Sequence, residues 1–209
     1  MASWDNQEVT DRHLLPYVDS ATASPDVQAA LQTLPFERNI FKLLANAESF
    51  FPSFMKTLSC AWSDKRTLRS SDWQLIVLRT ASLLNAPYEW AVNEPVARIY
   101  GFDDEKLALI RAGNLTSPTI FTDRHRLLND MVEQLVRENK VREKTMGQAK
   151  SVLGDSGVME VMITQGLYAL LARTMESARV DYDPPIPGLE DQLRGYNAAA
   201  IEKEKSFTD

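Results

Sequence analysis

The chain is poor in the residues that make metal and redox chemistry. It has one cysteine, Cys60, and two histidines, His13 and His125, in 209 residues. A single cysteine excludes a disulfide within the chain and a cysteine-based zinc site. The histidines lie far apart with no HxxxH or HxxE spacing, so no metal site is expected. Glycine is also scarce, at 8 residues, and no Gly-rich phosphate loop, GxSxG elbow or dinucleotide fingerprint occurs. Positive charge is in deficit: 23 Lys and Arg stand against 29 Asp and Glu, a net charge of −6 and pI ≈ 5.1. Without a basic field to neutralise phosphates, nucleic acid is not an expected partner. Long hydrophobic runs are missing too. The most apolar window, 158–172, contains Glu160, Gln165 and Gly166, so no membrane span is expected. The first twenty residues are too polar for a secretory signal, and a cytoplasmic location is the expectation. Period-two alternation is absent and β-branched runs are short, which argues against strands.

What is present is helical patterning of ordinary soluble composition, 44% hydrophobic and 25% charged. The predicted class is all-α. Residues 1–25 read as an irregular N-terminal arm broken by Pro16 and Pro25. Residues 26–180 read as one helical domain, and 181–209 as a tail packing on the domain or on a neighbouring subunit. Ser24-Pro25-Asp26 predicts a capped helix to about Leu34. Ile40, Leu43, Leu44, Ala47, Phe50 and Phe51 repeat at helical spacing, with Pro52 as an interruption. Ser70-Ser71-Asp72 announces a broadly buried helix, and Asn85 is the predicted cap of the next, which ends at Gly101. Asp103 and Thr122 open two more. Two further helices follow over 143–153 and from 156 to about 177. His125, between Arg124 and Arg126, is expected to face solvent.

The most informative stretch is QLIVLRTASLLNAPYEWAVNEPVARIYG, 74–101. Its second helix opens with Tyr88, Glu89 and Trp90. Residues three and four apart share a helix face, so Ala86, Glu89 and Asn93 line up. Glu89 lies in the first turn, where the helix dipole favours the carboxylate, whereas burial would favour the neutral acid. If burial wins, Glu89 is a general acid or base near neutral pH. On the plainer reading Glu89 stabilises the helix start, and Tyr88 and Trp90 simply pack. Glu94 and Arg98 read as a surface i,i+4 ion pair. Arg79, inside an apolar helix, is either a carboxylate binder or a buried structural partner.

Three segments in order, LPFERNIFKLLANAESFFPSF (34–54), the stretch 74–101 and residues 124–184, resemble the carboxymuconolactone decarboxylase superfamily, which includes the AhpD-like alkylhydroperoxidases. The resemblance implies an AhpD-like all-α fold and a homo-oligomer, trimer or hexamer, with the site near subunit contacts. The peroxidase branch of that family uses Glu, Cys, Cys and His, and the corresponding places here hold Gln74, Ala86, Glu89 and Asn93. No thiolate nucleophile is available there, so thiol peroxidase activity is not expected. The branch lacking the cysteine pair carries Tyr-Glu-Trp, as at Tyr88-Glu89-Trp90. Many of its members have His at Asn93 and Glu at Gln74. An amide holds a carbonyl or carboxylate but shuttles no proton.

The resemblance therefore implies a cofactor-independent decarboxylase or lyase on a small carboxylated lactone or β-keto acid, because the electron sink lies inside such a substrate. Glu89 and Tyr88 are the candidate proton donors. Gln74 and Asn93 would orient the substrate, with Trp90, Arg79 and Tyr168 binding it. The alternatives are an isomerase or cyclase of secondary metabolism on the same fold, and a non-catalytic binding or assembly protein.

Overall fold

The structure, a computed structural model, describes residues 3–207 other than 5, 8 and 64. The outermost residues of the expected arm and tail (1, 2, 208 and 209) lie outside the described residues. Among the described residues all regular structure is helical. The helices are α1 (Pro25–Leu31), α2 (Asn39–Leu44), α3 (Phe51–Leu58), α4 (Ser70–Leu83), α5 (Pro87–Ile99), α6 (Asp104–Ala112), α7 (Asp123–Glu138), α8 (Glu143–Ala178), α9 (Leu189–Tyr196) and α10 (Ala198–Glu204). A 3-10 turn, Ser59–Trp62, extends α3.

The central element is α4, which packs against α5, α6, α7, α8 and α10. Every residue from Asp72 to Ala81 is buried, which explains why its sequence is apolar on nearly all sides. Leu75, Ile76, Val77 and Leu78 are fully enclosed, and each contributes about 1.5–3 kcal/mol by burial. Around α4 the apolar side chains divide into two clusters. One joins α1–α3 to Tyr88 and the later half of α8, and the other joins α4, α6, α7 and the earlier half of α8.

Start and stop signals act as expected at several ends. Asp103 accepts the Lys106 N–H at 2.8 Å, and α6 ends on Gly113 at φ 75°. Thr122 caps α7, while Gly101 adopts φ 87° after α5. Gly154 (φ 67°, ψ 173°) breaks α8 into the two expected pieces. Four expectations differ. Ser24 sits at the start of α1, but its side chain makes no cap bond. Pro52 opens α3 instead of interrupting a helix, because a first-turn proline has no N–H to lose; the break falls in the turns after Leu44. Asn85 does not cap α5. It takes φ 53° in the link, and its Oδ1 accepts the Trp4 indole N–H at 2.6 Å. His125 is half-buried, its Nδ1 accepting the Thr122 N–H at 3.1 Å to complete the cap of α7.

The tail closes the molecule. Asp183 accepts from the Asn39 N–H at 2.7 Å, Arg38 at 3.0 Å and the Tyr88 hydroxyl at 3.0 Å. The same chain's α9 then lies on α5. Glu204 of α10 accepts the Ser70 and Ser71 N–H groups at the start of α4. Carboxylates are favoured there by the free N–H groups and the dipole.

Along α8 an opposite pattern appears. The positions facing solvent after the kink include Ser156, Met159, Ile163, Gly166 and Leu170, spaced alternately three and four apart. Met159, Ile163 and Leu170 are 45–52% exposed, and none of the five is charged.

Candidate functional site

The first turn of α5 carries Glu89 inward. Ala86 and Pro87 hold the entry, and Glu89 is 1% exposed. Neither of its carboxyl oxygens has a hydrogen-bond partner. Burial, and secondarily the nearby Glu176 carboxylate, pushes its pKa well above the usual carboxylate range. Of the two opposing effects, burial outweighs the helix dipole, because the side chain points into apolar surroundings rather than back at its own N–H groups. The neutral acid is the favoured form.

Glu89 lines a partly open cavity of about 90 Å³. The walls are mainly apolar: Phe36, Ile40 and Phe41 from the α2 region, Val92 and Val96 from α5, Leu171 and Met175 from α8, and Leu193 from α9. The polar side chains at the wall are Arg38, Asn93, Tyr168, Tyr196 and Asn197. Asn93 spends one amide N–H on the Glu89 carbonyl at 2.8 Å. The Tyr168 hydroxyl accepts the Trp73 indole N–H at 3.5 Å, and burial pushes its pKa up to about 12. It therefore stays protonated and can donate.

A second recess of about 50 Å³ adjoins the first and shares Asn93, Val96, Tyr168 and Asn197 with it. Its other walls include Arg66, Ser70, Trp73, Gln74 and Tyr100. Gln74 is buried, and its carbonyl Oε1 has no hydrogen-bond partner. Four of the predicted residues thus line two adjoining recesses, Glu89 the first, Gln74 the second, and Asn93 and Tyr168 both.

The other three point elsewhere. The Tyr88 hydroxyl is engaged by Asp183 and by the Ile40 N–H at 3.3 Å, and burial beside the Asp183 charge holds its pKa well above normal. It anchors the tail instead of facing the cavity. Trp90 packs in the other apolar cluster against Trp4, its indole N–H donating to Glu94 at 2.7 Å. Arg79 takes the structural role: it binds Glu133 at 2.6 Å, Asn129 at 2.8 Å and the Ile110 carbonyl at 2.9 Å, clamping α4 to α6 and α7. Residues that the sequence reading missed are Arg38, Arg66, Tyr196 and Asn197. The last two belong to the tail, where Leu193, Tyr196 and Asn197 at i, i+3 and i+4 were the available signal.

One cluster among the described residues has metal-ligand composition, Asp11, His13 and Asp181, whose ligand atoms lie within 4.8 Å of one another. Asp181 already accepts from Thr10 and from the Arg12 N–H, so the group ties the N-terminal arm down. His13 stacks on Tyr17 at 4.2 Å. Cys60 is exposed and is not among the residues lining the Glu89 cavity.

An all-helical domain with a buried acid in a small apolar cavity is thus the class of protein this chain defines. The particular fold is the AhpD-like one. A peroxidase-related protein from Ralstonia eutropha JMP134, described as an alkylhydroperoxidase AhpD core, superposes with TM-score 0.73 at 15% identity, over 88% of this chain and 98% of that one. A peroxidase-related protein from Silicibacter sp. TM1040 gives 0.70 at 14% identity, over 90% and 98%. A protein from Agrobacterium tumefaciens described as a putative antioxidant defence protein AhpD gives 0.60 at 16%, over 68% and 96%. No family model and no curated protein sequence matches the chain. The fold is one on which enzymes are built. No described helix is long and apolar enough to cross a membrane.

Proposed function

We propose that the protein is a cofactor-independent carbon–carbon lyase, decarboxylating a small carboxylated lactone or β-keto acid, with Glu89 as proton donor. The observation that carries this reading is the Glu89 carboxyl, 1% exposed and unpartnered, in a cavity large enough for a ligand. A buried acid without a hydrogen-bond partner costs stability, and such groups cluster where chemistry needs them. Neutral Glu89 does not repel an anionic substrate. As the bond to the departing carboxylate breaks, its electron pair moves onto the substrate's own carbonyl and carbon dioxide leaves. Tyr168 and Asn93 donate to the enolate oxygen. The Glu89 proton goes to the carbanionic carbon, and solvent reprotonates Glu89.

An isomerase or cyclase is the second reading. It is favoured by the neutral Gln74 and Asn93, since Glu89 alone can give a proton and take another back. Release of carbon dioxide from a panel of small β-keto acids and carboxylated lactones separates the two. Glu89→Gln is expected to lower turnover about 10²–10⁴-fold. Unchanged turnover in that variant would remove both readings.

We also propose that copies of the chain pair through the uncharged α8 seam. In an antiparallel pair about a two-fold axis near residue 161, Met159 faces Ile163, and Ser156 faces Gly166. Large side chains meet large and small meet small, as an isologous contact requires.

A further inference from the structure

The arginines packed inside this fold are paired. Arg38 holds Asp183 at 3.0 Å, Arg79 holds Glu133 at 2.6 Å and Arg124 holds Asp72 at 2.5 Å. Arg66 differs. It makes no ion pair among the described residues, and the one hydrogen bond of its side chain there is from Nη2 to the Ser70 hydroxyl at 2.8 Å. Its Nε is buried without a partner, and its guanidinium lies 5.7 Å from the Trp73 ring centroid.

The carboxylates that act on Arg66 electrostatically are Glu204, Glu160 and Asp72. Each is committed elsewhere. Glu160 accepts the Thr67 and Leu68 N–H groups at 2.8–3.0 Å. Glu204 accepts those of Ser70 and Ser71, and Asp72 holds Arg124. A half-buried guanidinium is thereby left without a carboxylate paired to it among the described residues, on the wall of the recess that adjoins the Glu89 cavity.

We propose that this recess is an anion seat in which Arg66, with the Ser70 hydroxyl beside it, binds a carboxylate that the substrate keeps. The inference rests on the lyase reading for the identity of the other end of the ligand, but the seat itself does not. Guanidinium matches carboxylate in geometry as well as charge. The departing carboxylate belongs in the apolar Glu89 chamber, because pairing with Arg66 would stabilise the carboxylate and oppose its loss. The ligand class is therefore a small molecule with an anionic end at Arg66 and a reacting, carbonyl-bearing end at Glu89. The two recesses, about 90 and 50 Å³, together approach an engineered cavity of about 150 Å³ that holds benzene, so the ligand is small, on the order of six to nine non-hydrogen atoms.

A further recess of about 120 Å³ shares Ala61, Arg66, Ser70 and Tyr100 with this one and is lined besides by Arg69, Lys203 and Glu204.

The test measures binding of benzoate, hexanoate and glutarate, with benzamide as the uncharged match for benzoate, by calorimetry on wild type, Arg66→Met, Arg66→Lys and Glu89→Gln. At least one carboxylate is expected to bind wild type tighter than about 1 mM. That carboxylate should bind Arg66→Met about tenfold or more weakly, at an unchanged melting temperature, with Arg66→Lys in between. If benzoate binds, benzamide should bind much more weakly. Should Arg66→Met not fold, Arg66→Lys and the benzamide comparison carry the same decision. Glu89→Gln is expected to keep carboxylate binding, so loss of turnover without loss of binding would concern the lyase reading alone. The proposal is overturned if no carboxylate binds wild type, if benzamide binds as well as benzoate, or if the folded Arg66 variants bind carboxylates like wild type.

Discussion

Asp72 and Glu89 are both carboxyl groups enclosed by this fold, at 0% and 1% exposure, yet their surroundings are opposite. Asp72 sits where α4 meets α7. It accepts the Arg69 N–H at 3.1 Å and two N–H groups of Arg124. Glu89, between α5, α8 and α9, has no partner for either oxygen. The difference is one of investment. On the α4–α7 side, polar groups such as Asp72, Arg79 and Asn129 are fitted together and hold helices in register. On the α5–α8–α9 side, Glu89 and Gln74 have polar atoms without a protein partner at the walls of the two recesses. The first arrangement serves the fold, and the second is what a site for another molecule requires.

The comparison breaks most visibly at Asp72. Asp72→Asn leaves the Arg124 guanidinium buried opposite a neutral amide, with one acceptor oxygen where the carboxylate had two. A loss of about 3–5 kcal/mol is expected from breaking one half of a buried pair. Denaturant unfolding reads it directly, and a loss below about 1 kcal/mol would mean that Arg124 finds water instead.

Next in size is the wall that the tail supplies. Leu193 is 4% exposed and lines the Glu89 cavity. Leu193→Ala is expected to cost about 2–3 kcal/mol, the lower part of the range for buried leucines, because α9 lies at the edge and relaxes. It should also admit water to Glu89. The same unfolding curves, repeated from acid to neutral pH, show whether the carboxyl then titrates nearer its ordinary value.

That pH dependence is the third test. The folded pKa of Glu89 lies well above the reference value of 4.5, so the folded chain keeps a proton that the unfolded chain has released. The native state binds more protons, and stability falls as pH rises from about 4.5 toward the folded pKa, by up to about 1.4 kcal/mol per pH unit. Glu89→Gln removes that slope. The variant should match wild type at acid pH and become the more stable protein toward neutrality, while losing turnover. Asp72→Asn does not gain in this way, which separates a carboxyl kept for chemistry from one kept for structure. Parallel pH profiles for wild type and Glu89→Gln would show that Glu89 is not neutral in the fold.

Much of this could be read in the residues, and the limits have physical causes. Helical spacing aligned Glu89 with Asn93 on one face, and both line the cavity. Tyr88 and Trp90 were grouped with Glu89 because they are adjacent in sequence. Adjacent residues on a helix point about 100° apart, so three in a row cannot serve one small space: Tyr88 reaches Asp183 and Trp90 reaches Glu94. Arg79 left two roles open, and only its distant partners Glu133 and Asn129, on another helix, decide between them. Arg66 was beyond reach because its interest depends on the carboxylates around it being committed to other donors, a long-range fact. The tail's placement over α5 is a long-range contact that no local pattern encodes.

The smallest effect on the fold is expected on the outer side of α8, and there the comparison turns from interior to surface. Ile163 is 52% exposed, whereas Leu171 on the same helix is 4% exposed. Ile163→Glu should leave the stability of an isolated chain within about 0.5 kcal/mol, since it removes few contacts inside the protomer. If copies pair along the seam, the same change places two carboxylates close to the two-fold axis in a dehydrated contact, and the assembly dissociates. Sedimentation of wild type and variant over a concentration series reads this without reference to activity. An oligomer that survives Ile163→Glu unchanged would mean that copies meet elsewhere, and a wild type that sediments as a monomer would leave the seam without the proposed occupant. A variant that unfolds outright would instead show that Ile163 supports the protomer's own core.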